Sequence, residues 1–119
     1  MALTFYGYPK CGTCREAAKW LDKHDVPYNY VHIVEETPSK EKIEEMYKNS
    51  GLELKKFFNT SGLKYKELGI KDKLKEMSES EQLKLLASDG MLLKRPIATD
   101  GKNVTIGFKE DQYEQVWKK

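Results

Sequence analysis

Leu3-Thr4-Phe5-Tyr6-Gly7-Tyr8-Pro9-Lys10-Cys11-Gly12-Thr13-Cys14 passes from an apolar, aromatic run, through the breakers Gly7 and Pro9, into a pair of cysteines. Such a run reads as a short buried strand that ends in a loop. From Cys14 to about residue 24, Ala17, Ala18, Trp20 and Leu21 recur at helical spacing, so Cys11 falls at or just before a helix N-terminus. Residues 28–34 then alternate and are rich in β formers. The three segments make a β-α-β unit, whose strands should be parallel and joined by a right-handed crossover.

Working outward, Thr37-Pro38 combines a capping hydroxyl with proline at the first helical position, and Ile43, Met46 and Tyr47 supply an apolar stripe. Gly51 should close that helix. Ser78-Glu79-Ser80-Glu81 fits a capping box, with Leu83, Leu85 and Leu86 behind it and Gly90 after the end. Residues 54–58, 65–68 and 72–77 read as short helical turns, which makes roughly 37–90 a helical insertion. After Arg95-Pro96, residues 97–99 and 104–108 flank Asp100-Gly101-Lys102-Asn103, a loop of turn-favouring residues, and 110–117 has the acidic start and aromatic stripe of a last helix. The order is therefore β-α-β, helices, β-β-α. This is the α/β, thioredoxin-like order with a mixed four-stranded sheet, and 119 residues suit a single domain spanning 1–119.

Composition narrows the function. A net charge of +2, from 21 basic and 19 acidic side chains, makes no field that would attract nucleic acid or an anionic membrane. The apolar run 1–6 breaks too early for a signal peptide, and no stretch approaches the ~18 apolar residues of a membrane span. The protein is expected in the cytoplasm, with neither membrane nor direct nucleic-acid partners. Its two cysteines form one C-G-T-C cluster, so no second pair exists for a secreted disulfide framework. Arginine occurs only at positions 15 and 95, which makes the placement of those two informative.

A cysteine that precedes a helix holds its sulfur near unpaired backbone N–H groups and the positive end of the helix dipole, which favours the thiolate. Cys11 is thus the expected nucleophile. Cys14, one turn inside, faces the same side and is placed to resolve a mixed disulfide by attacking Cys11. Gly12 and Thr13 keep the intervening loop tight. Arg15, four residues beyond Cys11, would support the thiolate or an oxyanion from the same face; otherwise it is an ordinary surface arginine. The alternatives for the pair are a zinc half-site or two incidental buried cysteines. Zinc normally needs four ligands, and only His24 and His32 remain, neither at a finger-like spacing, so no metal or other cofactor is expected.

The segments Tyr6 through Arg15, Phe57-Phe58-Asn59-Thr60, Leu93-Lys94-Arg95-Pro96-Ile97 and Gly107-Phe108 together resemble, over essentially the whole chain, the glutaredoxin-coupled arsenate reductases and the redox regulator Spx. The resemblance implies that the first cysteine attacks the oxyanion and that three arginines hold it. Cys11 and Arg95 match the first cysteine and the middle arginine, whereas the other two arginine positions fall at Asn59 and Phe108, which make no bidentate contacts. Arsenate itself is therefore not the expected substrate. The second cysteine moves the pattern toward the C-x-x-C switch of Spx, which docks on the RNA polymerase α-subunit and needs a glycine in the insertion. Gly51 is its nearest match, although a helix C-cap already explains that residue. The resemblance further implies a cis bond before Pro96, with Arg95 turned toward the same mouth as Arg15. Two functions remain: a thiol-disulfide oxidoreductase recycled by thioredoxin, glutaredoxin or a low-molecular-weight thiol, and an Spx-like switch acting on RNA polymerase.

Overall fold

The computed structural model describes residues 3–118; Met1 and Ala2 of the N-terminal apolar run, and Lys119, lie outside them. Strand β1 (Leu3–Gly7) occupies the middle of a four-stranded sheet of order β2-β1-β3-β4. It pairs in parallel with β2 (Tyr28–His32), Leu3 opposite Tyr28 and Gly7 opposite His32, and helix α1 (Gly12–Lys23) makes the crossover. On its other edge β1 runs antiparallel to β3 (Ile97–Thr99), which turns into β4 (Val104–Ile106). The sheet is mixed and four-stranded, as the element order predicts.

Between the halves lie α2 (Lys40–Ser50), a 3₁₀ turn at Leu54–Phe57, the short helices α3 (Leu63–Glu67) and α4 (Ile70–Lys73), a further turn at Leu74–Glu76, and α5 (Glu79–Ser88). The chain ends in α6 (Glu110–Val116). Successive residues of a strand face opposite sides, and the two cores follow from that. Leu3 and Phe5 of β1 and Ala98 of β3 pack with Ala17, Trp20 and Leu21 of α1 and with Tyr113 of α6. Tyr6 and Ile97 face the other way, onto Ile43 and Met46 of α2 and Leu83 and Leu86 of α5. Each fully buried aliphatic or aromatic side chain contributes roughly 1.5–3 kcal/mol, so both helical layers are held chiefly by these stripes.

The ends of the elements differ from expectation where side chains compete for the same backbone groups. Thr37 does not cap α2, because its hydroxyl donates to the carbonyls of Ile33 (2.9 Å) and Val34 (3.1 Å) and so closes the turn after β2. Ser39 caps instead, its Oγ accepting from the Lys42 N–H at 3.2 Å. Strand β2 stops at His32, whose Nδ1 accepts from the backbone of Val34 (3.3 Å) and Glu35 (3.1 Å). Strand β4 stops at Ile106 because Gly107 takes a left-handed φ of 77° and donates its N–H to the Pro96 carbonyl at 2.8 Å. The capping box of α5 is present in full, with Ser78 and Glu81 exchanging hydrogen bonds. Gly51 adopts φ 70° as the C-cap of α2. Gly90 has a different duty from the one expected: α5 ends at an extended Asp89, and a Cβ on Gly90 would fall on the carbonyl oxygen of Ile33. The backbone of the insertion there touches the backbone beyond β2.

Candidate active site at the mouth of the first helix

Cys11 is the N-cap of α1, with φ −89° and ψ 116°, and its Sγ accepts the Cys14 N–H at 3.3 Å. The Tyr8 carbonyl accepts the Cys11 N–H at 2.9 Å, which folds residues 8–11 into a tight entry to the helix. Cys11 is half-buried, while Cys14 is 1% exposed and packs in the core beside Ala17. Both are free thiols. Burial alone would push Cys11 up, but the S–H and N–H of Cys14 hydrogen-bond its sulfur and the Arg95 guanidinium lies beside it, and together they bring its pKa below the ordinary thiol value. Cys14 goes the other way: burial first, then the hydrogen bond to Cys11 and the charge on it, hold its pKa at about 12. One turn of helix thus separates a sulfur whose pKa is lowered from one whose pKa is raised.

Arg95 reaches this sulfur from the far side of the chain. Its peptide bond to Pro96 is cis, as the resemblance implies. The guanidinium lies 5.0 Å over the Tyr8 ring, and the Tyr8 ring is itself set edge-on against His32, with centroids 5.4 Å apart. A cation stacked in this way gains about 0.5–2 kcal/mol, depending on how far it is desolvated. Nε and Nη1 of Arg95 are buried and have no hydrogen-bond partner among the described residues. A buried donor without an acceptor costs roughly 1–3 kcal/mol, and the guanidinium is held beside the Cys11 sulfur despite that cost.

Cys11 and Arg95 open into a cavity of about 840 Å³ that also exposes Thr13, Asn59, Lys94 and Phe108. Asn59 follows the turn Leu54–Phe57, and Phe108 follows β4, so positions far apart in the chain meet at the sulfur. The two positions where the resemblance places further arginines therefore lie in the same cavity, occupied by an amide and a phenyl ring. Pro96 immediately precedes β3, and its carbonyl accepts the Gly107 N–H. Gly12 is exposed, with open space where a Cβ would be.

Arg15 does not join Arg95. It is exposed and absent from the cavity wall, and the guanidinium beside Cys11 is that of Arg95 alone. Cys11 is a cap with extended backbone, so its side chain does not project along the helical row that Arg15 occupies at i+4. The histidines serve packing and turns: His24 lies 4.2 Å from the Trp20 ring and His32 caps the turn after β2. Among the described residues no group of three or more His, Cys, Asp or Glu side chains is placed to hold a metal ion, and no helix is long and apolar enough to cross a membrane. Tyr8, Lys94 and Lys109 are site residues that the sequence reading missed. Tyr8 sat inside the quoted motif, but nothing in spacing reveals that Arg95 folds over it.

A model of the ArsC family matches residues 6–116. The uncharacterized protein YusI of Bacillus subtilis is 65% identical over 117 residues, covering 98% of this chain and 99% of that protein. The global transcriptional regulator Spx of Streptococcus mutans is 32% identical over 112 residues, 92% of this chain and 79% of the regulator. Among solved structures, an ArsC family related protein from Bacteroides fragilis superposes with a TM-score of 0.93 at 43% identity, covering 97% of each chain.

Proposed function

Because this chain belongs to the ArsC family and has its thioredoxin-like fold, we propose that it works as a cytoplasmic thiol-disulfide oxidoreductase, with residues 1–119 acting as one domain. The observation that carries the proposal is the division between the cysteines. Cys11, its pKa lowered, opens to the cavity beside Arg95, and Cys14, its pKa raised to about 12, is buried one turn behind it.

The Cys11 thiolate attacks one sulfur of a substrate disulfide, forms a mixed disulfide and expels the other sulfur as a thiolate. At that moment Cys11 loses its negative charge, which removes two of the influences that keep the Cys14 proton in place; burial remains. Cys14 then sheds its proton, attacks the Cys11 sulfur and expels the second substrate thiolate, leaving a Cys11–Cys14 disulfide. Two electrons have passed to the substrate, and thioredoxin, glutaredoxin or a low-molecular-weight thiol restores the pair. Arg95 favours the thiolate from the wall of the same cavity. Non-reducing mass spectrometry after diamide treatment tests the cycle: an intramolecular Cys11–Cys14 disulfide is expected, and a covalent dimer as the main product would overturn it.

A second reading is an Spx-like switch on the RNA polymerase α-subunit, supported by the likeness to the Streptococcus mutans regulator and by Gly51, which stands exposed with open space around it at the end of α2. Pull-down with the α-subunit, comparing oxidised and reduced protein, separates the readings. Redox-dependent capture, abolished by Gly51→Arg, would favour the switch.

A further inference from the structure

A second cavity, of about 590 Å³, adjoins the one at Cys11 and shares Lys94, Ile106 and Lys109 with it. Together they make one groove that starts at the Cys11 sulfur, passes the β3–β4 hairpin and ends at the turn Leu54–Phe57. Its charge is lopsided. Lys55, Lys56, Lys64, Lys94, Arg95 and Lys109 line it, against the acidic Glu53 and Glu67. Asp89 lies 3.9 Å from the Lys64 ammonium, and the other five cations have no salt-bridge partner among the described residues. The whole chain carries only +2, so the remaining surface is net negative and the groove concentrates the positive charge.

Apolar side chains mark both parts of the groove. Of the four large hydrophobic side chains exposed among the described residues, Leu63 (77% exposed) borders the Cys11 cavity and Leu52 (40%) borders the second one. A groove this long exceeds what a small disulfide or an oxyanion would fill. Its mixture of cations and apolar posts suits an extended polypeptide with acidic side chains and a few apolar ones. Nucleic acid would meet the same cations, but it brings no sulfur to a groove that opens on the Cys11 sulfur.

We propose that the groove docks an acidic, extended segment of a partner protein and presents a disulfide in that segment to Cys11. The inference rests on the oxidoreductase reading and supplies its substrate class. Electrons flow as in the cycle above: the partner's disulfide is reduced to two thiols, the Cys11–Cys14 pair is oxidised, and a dithiol or low-molecular-weight thiol reduces that pair again.

Three cystine peptides of equal length, with the disulfide flanked by Glu, by Gln or by Lys, test it by rapid-quench reduction with the reduced protein. The Glu peptide is expected to react about tenfold faster than the Gln peptide at low ionic strength, and the Lys peptide more slowly than either. The preference should collapse at high salt. Lys55→Gln with Lys56→Gln, both exposed and lining the second cavity rather than the one at Cys11, should lower the Glu-to-Gln rate ratio several-fold, which assigns the effect to the groove. Equal rates for the three peptides would overturn the docking inference and leave the redox cycle standing. No reaction with any peptide would overturn both. A groove that shows no peptide preference but is blocked by a short oligonucleotide in the Gln-peptide reaction belongs to nucleic acid instead.

Discussion

Cys11 and Cys14 occupy the same turn, and their different reactivity comes from what surrounds each sulfur. Cys11 collects hydrogen bonds and a neighbouring guanidinium; Cys14 is surrounded by the core. A lowered pKa means that the thiolate fraction of Cys11 rises and levels off at a lower pH than that of a free thiol, whereas Cys14 stays protonated until strongly alkaline pH. Iodoacetamide labelling of Cys14→Ser should therefore reach half its limiting rate below pH ~8.5, the value for a free cysteine. Labelling of Cys11→Ser should be slower at every pH below that. Faster labelling at Cys14 near neutrality would reverse the roles. Arg95→Lys keeps the charge but loses the planar fork, and it should slow disulfide reduction by about tenfold while the protein remains folded. A wild-type rate would show that charge alone suffices.

At the scale of elements, the informative positions are those where a cap or a close approach departs from what the local sequence predicts. Ser39, Thr37 and Gly90 all lie at the edges of the insertion, and each is set by a contact to the backbone just after β2 or at its own helix end. Ser39→Ala should cost about 1 kcal/mol of stability in urea unfolding, since it strips the cap of α2. Gly90→Ala places a methyl against the Ile33 carbonyl and should cost about 1–3 kcal/mol, as overpacking does. A neutral Gly90→Ala would mean that the insertion shifts freely on β2. The capping box of α5 and the hairpin loop closed by Asp100 were legible in the sequence because their partners lie within three residues, at 3.1 Å for each capping bond and 2.7 Å for Asp100 to the Asn103 N–H.

At the scale of the molecule, four distant segments surround one sulfur, and the balance among them sets what it will accept. A multiply charged oxyanion would find one guanidinium, one amide and one phenyl ring where the resemblance implies three arginines. Arsenate turnover in a glutaredoxin-coupled assay should therefore be absent or feeble. Asn59→Arg together with Phe108→Arg should raise affinity for arsenate by at least tenfold, because both positions open into the cavity with Arg95. Efficient turnover by the unaltered protein would contradict this. The sequence by itself determined the order of elements, the mixed sheet and the place of Cys11 at a helix mouth, since strand alternation, helical spacing and capping act between near neighbours. Only the tertiary structure decided which arginine serves the thiolate, that Tyr8 supports it, and that lysines from separate elements line one groove. Those pairings join residues as far apart as positions 8 and 95, and they depend on the sheet register and the path of the insertion, which spacing along the chain does not encode.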